Sequence, residues 1–115
     1  MRLKSAIWVA AYLRRCHGEG AFAAVRHRGA EEAGAIFIKL NRLDGTAELF
    51  APAPQAVFDE AHPSDRAFTR CLGNEPVPEG KVEERLTREI CFDSDAWIIE
   101  VEDRAGRHFL DRLVA

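Results

Sequence analysis

Between Gly34 and Ala51 the chain runs GAIFIKLNRLDGTAELFA, and no other stretch restricts the fold as tightly. Apolar residues alternate at Ile36, Ile38 and Leu40, the period of a strand with one face in a core. Asp44-Gly45 then supplies two residues that tolerate positive φ, as a two-residue hairpin loop requires. A loop centred there pairs Leu43 with Thr46, Leu40 with Leu49, Ile38 with Ala51 and Lys39 with Phe50. Ile36, Ile38, Leu40, Leu49 and Ala51 would then share the core face, with Phe37, Lys39, Asn41, Glu48 and Phe50 on the other. Two aromatics among polar groups mean that this second face is either half covered by another element or left open as a contact surface.

The flanking segments are read from their periodicity. Leu3, Ala6, Ile7, Val9, Ala10, Leu13 and Cys16 fall within half of a helical wheel, which predicts an amphipathic helix over 3–16. Trp8 is then expected to face outward between Lys4 and Arg15. Phe22 to Arg28, bounded by Gly20 and Gly29, reads as a strand, and with the hairpin it predicts a three-stranded antiparallel meander. All five prolines lie between Pro52 and Pro78, marking 52–80 as an irregular crossover. Within it Ser64 can cap a short helix running to Leu72, with Gly73 as its stop. Val82, Leu86 and Ile90 predict a helix over 81–91 with a narrow apolar stripe and a Glu84 to Arg88 ion pair. Trp97, Ile99 and Val101 alternate with Ile98, Glu100 and Glu102, the pattern of a half-buried strand over 96–103. Arg107 to Val114 fits either an edge strand or a helical turn.

Together these elements predict an α+β fold. An antiparallel sheet, made of the meander plus the C-terminal strand, is covered mainly on its Ile36 face by the helices 3–16 and 81–91. A length of 115 residues fits one domain spanning 1–115. The net charge of -3 conceals a polarity. Residues 1–42 hold eight Lys or Arg against three Asp or Glu, while 75–115 hold six against eleven. Internal complementarity, with the acidic helix docked near the basic one, is the expected resolution.

Several function classes are disfavoured. No run approaches the apolar length of a membrane span, and the start lacks the order of a signal peptide, so a cytoplasmic location without membrane contact is expected. Cys16, Cys71 and Cys91 are too scattered for a disulfide framework or a zinc site. Phosphate-binding loops and nucleophile-elbow motifs are missing, so no cofactor is predicted. Nucleic acid would have to use Arg2, Lys4, Arg14, Arg15, Arg26, Arg28 and Arg42, with Trp8 and Phe37 for stacking. A pI near 5.8 counts against that.

Two functional readings remain. The first is a small interaction or accessory module for a protein partner or for self-association, using Lys4, Trp8 and Arg15 on the helix or Phe37, Lys39 and Phe50 on the sheet. The alternative is a metal-dependent or acid/base enzyme in which Glu100 and Glu102 converge with His108, flanked by Asp93, Asp95 and Asp103. No metal ligand set is predicted with the spacing of a known site.

Three blocks also carry a resemblance: RLKSAIWVAAYLRRC at 2–16, AGAIFIKLNRLDGTAELFAPAPQ at 33–55 and LTREICFDSDAWIIEVEDRAGRHFLD at 86–111. They resemble a family of short bacterial proteins catalogued only as a domain of unknown function (number 1491). That pattern has Asp-Pro-Asp-Leu-Trp after the last helix, where this chain has Asp93-Ser94-Asp95-Ala96-Trp97. The resemblance implies a soluble single-domain bacterial protein and transfers no catalytic or binding residue.

Overall fold

The structure is a computed structural model that describes residues 3–54 and 66–114. Its elements run α1 (Ser5–Gly18), β1 (Phe22–His27), β2 (Ile36–Asn41), β3 (Thr46–Pro52), β4 (Phe68–Arg70), β5 (Val77–Pro78), α2 (Glu79–Phe92), β6 (Trp97–Glu102) and β7 (Leu113–Val114). Among the described residues the seven strands form one sheet, ordered β1-β6-β2-β3-β4-β7, with β5 alongside β3.

The α+β class stands, but the sheet is mixed rather than antiparallel. β6 runs parallel to β2, and β7 runs parallel to β4. No meander forms, because β6 inserts between β1 and β2 and pairs antiparallel with β1. Position explains composition here. A strand in mid-sheet must be apolar on both sides, and Trp97, Ile98, Ile99 and Val101 are all buried, where alternation alone suggested a half-buried strand.

The hairpin forms at the predicted place with its register shifted by one residue. Ile38 pairs with Phe50, Lys39 with Leu49 and Leu40 with Glu48. Arg42 N donates to Thr46 O at 3.0 Å, leaving a three-residue loop of Leu43, Asp44 and Gly45. Leu43 takes φ 61° and Gly45 φ 91°. Local side chains hold this turn: Asn41 Oδ1 accepts the Leu43 N–H, and Asp44 Oδ1 accepts both the N–H and the hydroxyl of Thr46. Because side chains alternate with period two, that slip exchanges the faces of β3. Phe50 joins Ile36, Ile38 and Leu40, while Ala47, Leu49 and Ala51 join Phe37.

Both faces are covered, by one helix each. Val9, Tyr12 and Cys16 of α1 pack on the Ile36 face. Val82 and Leu86 of α2 pack on the Phe37 face, not beside α1 as the apolar stripes suggested. Once β3 shows aliphatic groups on each side, the Phe37 face has its own apolar surface to bury. The α1 helix is also rotated relative to its predicted face. Trp8 turns inward, stacking on Tyr12 at 5.0 Å and packing on Phe68 at 5.3 Å, and Ile7 is left 53% exposed. The cause is β4, a strand where a short helix was expected. It extends the sheet beneath that flank of α1 and sets Phe68 under Trp8. Ser64 and Asp65, the expected cap and first turn of that helix, lie outside the described residues. The helical ion pair forms between Arg85 and Glu89 at 2.8 Å, one position from the predicted Glu84 to Arg88 pair. The C-terminal segment crosses beneath α1, where Tyr12 Oη donates to His108 O at 2.6 Å, and ends in the edge strand β7.

Candidate functional site

The α2 side of the sheet carries a compact group of charges. Lys39, Asn41 and Glu100 occupy neighbouring positions of the parallel β2 and β6 strands, and α2 lays Glu79 and Glu83 over them. Lys39 Nζ donates to Glu79 at 2.6 Å and to Glu83 at 2.5 Å, with Glu100 at 3.7 Å. Asn41 Nδ2 bridges Glu79 and Glu100. Arg26 holds Glu83 through both terminal nitrogens at 2.6 and 2.8 Å and reaches Glu100 at 3.1 Å.

Burial alone would push the Lys39 ammonium down. Hydrogen bonds to Glu79 and Glu83, with the nearby Glu100 charge, more than reverse that and hold it above its ordinary value. Glu83 moves the other way. The Arg26 hydrogen bond, helped by Lys39 against the cost of burial, brings its carboxyl down to about 2. Lys39 and Glu83 are therefore both charged at neutral pH and engaged with each other, with Arg26, Asn41, Glu79 and Glu100 bonded around them. Such an arrangement clamps a helix to a sheet. It also holds Glu83 in its charged form, where it cannot donate a proton near pH 7 as a general acid would.

Arg26 faces that cluster by the same alternation that sets Ala24 opposite Glu100. The β1 to β6 register then breaks between Val25 and His27, which turns His27 toward the α2 side as well, as a bulge re-aims side chains. His27 Nδ1 lies 2.8 Å from Ala96 O. A carbonyl only accepts, so Nδ1 carries the proton and Nε2 presents a lone pair in the neutral ring. Between β1 and α2 opens a groove of about 330 Å³ lined by Arg26, His27, Glu83, Leu86, Thr87, Ile90, Cys91 and Ile98. β1 is also the outermost strand on this side of the sheet. Phe22, at its start, is 58% exposed, and Val25 is 37% exposed.

The residues singled out from sequence are distributed differently. Phe37, Lys39 and Phe50 are buried, with Phe50 on the face opposite Lys39, so among the described residues these side chains present no open sheet face. Lys4 and Arg15 are exposed but paired, with Glu32 at 3.3 Å and Asp111 at 2.9 Å, and Trp8 is packed inward. Glu100 belongs to the Lys39 cluster. His108 packs edge-on against Phe50 on the opposite side of the sheet, where its Nδ1 accepts the Leu110 N–H. Burial, then the Arg70 charge, holds His108 below its ordinary value. Glu100, Glu102 and His108 therefore do not converge. Asp103 is engaged by Arg107 at 2.8 Å. Among the described residues no three His, Cys, Asp or Glu side chains are grouped to hold a metal ion, and no helix is long and apolar enough to cross a membrane.

Residues 3–111 match the family model described as "Protein of unknown function (DUF1491)". The chain belongs to the DUF1491 family. A crystal structure of a DUF1491 family protein from Caulobacter crescentus CB15 is 35% identical, with all of both chains covered and a TM-score of 0.80. An NMR structure of a DUF1491 family protein from the same organism gives 35% identity and a TM-score of 0.79, covering 100% of this chain and 99% of that one. A protein from A. tumefaciens, solved in solution, is 42% identical over 89% of this chain and 86% of its own, with a TM-score of 0.74. No curated protein matches. This DUF1491 chain therefore shares its fold with bacterial relatives, and the description of the family assigns no activity.

Sequence reasoning passed over the β1 edge and its groove. Phe22 to Arg28 reads as an edge strand in either arrangement, but a meander pairs it with β2 and so misplaces it relative to α2. The available signal was the apolar run AWIIEV at 96–101, too greasy for an edge strand. Placing that run in mid-sheet sets it between β1 and β2.

Proposed function

We propose that this protein is a small cytoplasmic interaction module whose contact element is the open edge of β1, with the groove beside α2 selecting side chains. The main support is Phe22: a large aromatic, 58% exposed, at the start of an edge strand that no other strand covers among the described residues. Soluble proteins usually protect such edges with Pro, Lys, short length or a bulge. Here the bulge protects only the Arg26 end, and Phe22 to Val25 remains unguarded. An extended segment added to this edge would gain main-chain hydrogen bonds, and alternate side chains would drop toward Leu86, Thr87 and Ile90. The remaining large exposed apolar groups, Leu3, Ile7, Leu43 and Phe92, are not lined up on an open strand edge.

Photo-crosslinking in the native host tests this. With benzoylphenylalanine in place of Phe22, a discrete adduct is expected, whereas the same probe at Ile7, similarly exposed on α1, should give none. Equal adducts at both positions, or none at Phe22, would remove the β1 edge from consideration.

A further inference from the structure

The β1 edge carries both halves of a contact on one face. In the β1 to β6 register Phe22 faces the same side as Glu102, and Ala24 the same side as Glu100. That is the α2 side, where the groove flanked by Arg26 and His27 also opens. Exposed ring and groove thus lie four residues apart along one strand. A two-fold axis perpendicular to the sheet would interchange them.

We infer that the occupant of this edge is a second copy of the chain, with β1 pairing antiparallel to β1 about an axis at Ala24; this rests on the proposed role of the β1 edge. Symmetry makes any such pairing place one residue opposite itself, and opposite residues share a face. With Ala24 on the axis, Ala23 meets Val25 and Phe22 meets the Arg26–His27 bulge of the other copy. Each Phe22 then enters the other copy's groove over Leu86, Ile90 and Ile98. Shifting the axis to Ala23 stops Phe22 at Ala24 of the other copy, and shifting it to Val25 carries Phe22 past the groove to Arg28. Only the Ala24 axis fills both grooves, and it puts a methyl group where two side chains must approach. Charge does not oppose the contact. Arg26 is already neutralised by Glu83 and Glu100, and its guanidinium can receive the incoming ring as a cation–π partner. Two sheets would become one. The contact is one short strand and two rings, at the low end of specific interfaces, so the dimer is expected to form and dissociate with dilution.

Sedimentation velocity of the full chain over a dilution series tests this, using the wild type, Phe22→Ala, Thr87→Arg and an Ile7→Ala control. Thr87 is exposed on the groove rim, so Arg there obstructs the groove without entering the core. Wild type and I7A should pass from monomer to dimer together, and F22A and T87R should each associate at least about ten-fold more weakly. An equimolar mixture of F22A and T87R retains one intact ring and one intact groove, so it should dimerise better than either alone. A wild type that stays monomeric, a dimer unaffected by both variants, or a mixture no better than its components would each overturn the inference. If the chain is monomeric while the Phe22 crosslinker captures a different protein, the second copy is excluded and the β1 edge keeps its proposed role. If nothing is captured, that role falls too.

Discussion

Replacing Lys39 by Met is expected to lower the unfolding free energy by about 3 kcal/mol, read as a shifted midpoint with unchanged slope in urea denaturation. The side chain is 2% exposed and touches three carboxylates. Met fills nearly the same volume, so the loss is electrostatic rather than a cavity. Without the ammonium, Glu79, Glu83 and Glu100 face one another with Arg26 as the remaining cation. Breaking a buried ion pair from one side typically costs about 3 to 5 kcal/mol. The lower end applies because Glu79 and Glu83 stay over a third exposed and retain water. Lys4→Met, which removes an exposed partner of Glu32, should change stability by about 0.5 kcal/mol or less. Adding Glu79→Gln to K39M should recover part of the loss, since it removes one uncompensated carboxylate, and the coupling is read from the double-mutant cycle.

The same cluster gives the K39M effect a pH dependence with a definite sign. Glu83 is depressed from 4.5 to about 2, so its stabilising contribution is complete above 4.5 and is lost as pH falls toward 2. Lys39 is raised above its ordinary 10.5, so its contribution is complete below 10.5 and is lost as pH rises beyond that. The gap between wild type and K39M should therefore be widest between about 4.5 and 10.5 and narrow on either side. The difference is the informative quantity, because Tyr12, raised by burial, and Asp103, lowered by its Arg107 hydrogen bond, shape both curves equally. A gap independent of pH would mean that Lys39 supports the fold through shape alone.

How much of this was legible in the sequence depends on the range of the interaction. The 81–91 stripe, the strand at 96–103 and the reversal at Asp44-Gly45 are local patterns, and all three elements formed. The register of the hairpin was not readable. It turns on Leu43 adopting a left-handed conformation that glycine or asparagine usually takes, stabilised by Asn41 and Asp44 side chains. That single residue of slip moved Phe50 and Leu49 to opposite faces and hid the need for a helix on each side. From spacing alone Lys39 and Glu100 fall on different surfaces. Their pairing requires β6 to lie parallel to β2, a contact between distant segments that no short-range spacing encodes. The charge polarity of the chain was the better guide. Arg26 and Lys39 from the basic part meet Glu79, Glu83 and Glu100 from the acidic part, with the sheet rather than α1 supplying the cations.

Gly29→Ala should be as damaging, although it adds one methyl group. A Cβ at Gly29 would lie 2.2 Å from Asp95 O, 2.6 Å from Trp97 Cδ1 and 2.7 Å from Ala96 C. Two of those atoms are backbone in the approach to β6, so no rotamer change relieves the overlap. The 29–34 loop would have to lift, and it carries several bonds at once. Ala30 N donates to Asp95 O at 2.8 Å, and Trp97 Nε1 donates to Ala30 O at 2.8 Å. Glu31 O and Glu32 O accept the first amides of α1, and Ser5 Oγ donates to Gly34 O at 2.7 Å. Overpacking costs about 1 to 3 kcal/mol, and each buried hydrogen bond lost adds roughly 1 kcal/mol. A total of about 3 kcal/mol or more follows, lowering Tm by about 10 °C or more. Trp97 would lose its indole hydrogen bond, so the native fluorescence should shift to the red well below the new Tm. Gly18→Ala supplies the contrast: its added Cβ meets open space at the end of α1, where Ala is the better helix former by up to about 1 kcal/mol. G18A should match or exceed the wild type. If G29A did the same, the loop would be loosely laid over β6, and the close fit around Trp97 would have no part in fixing α1 to the sheet.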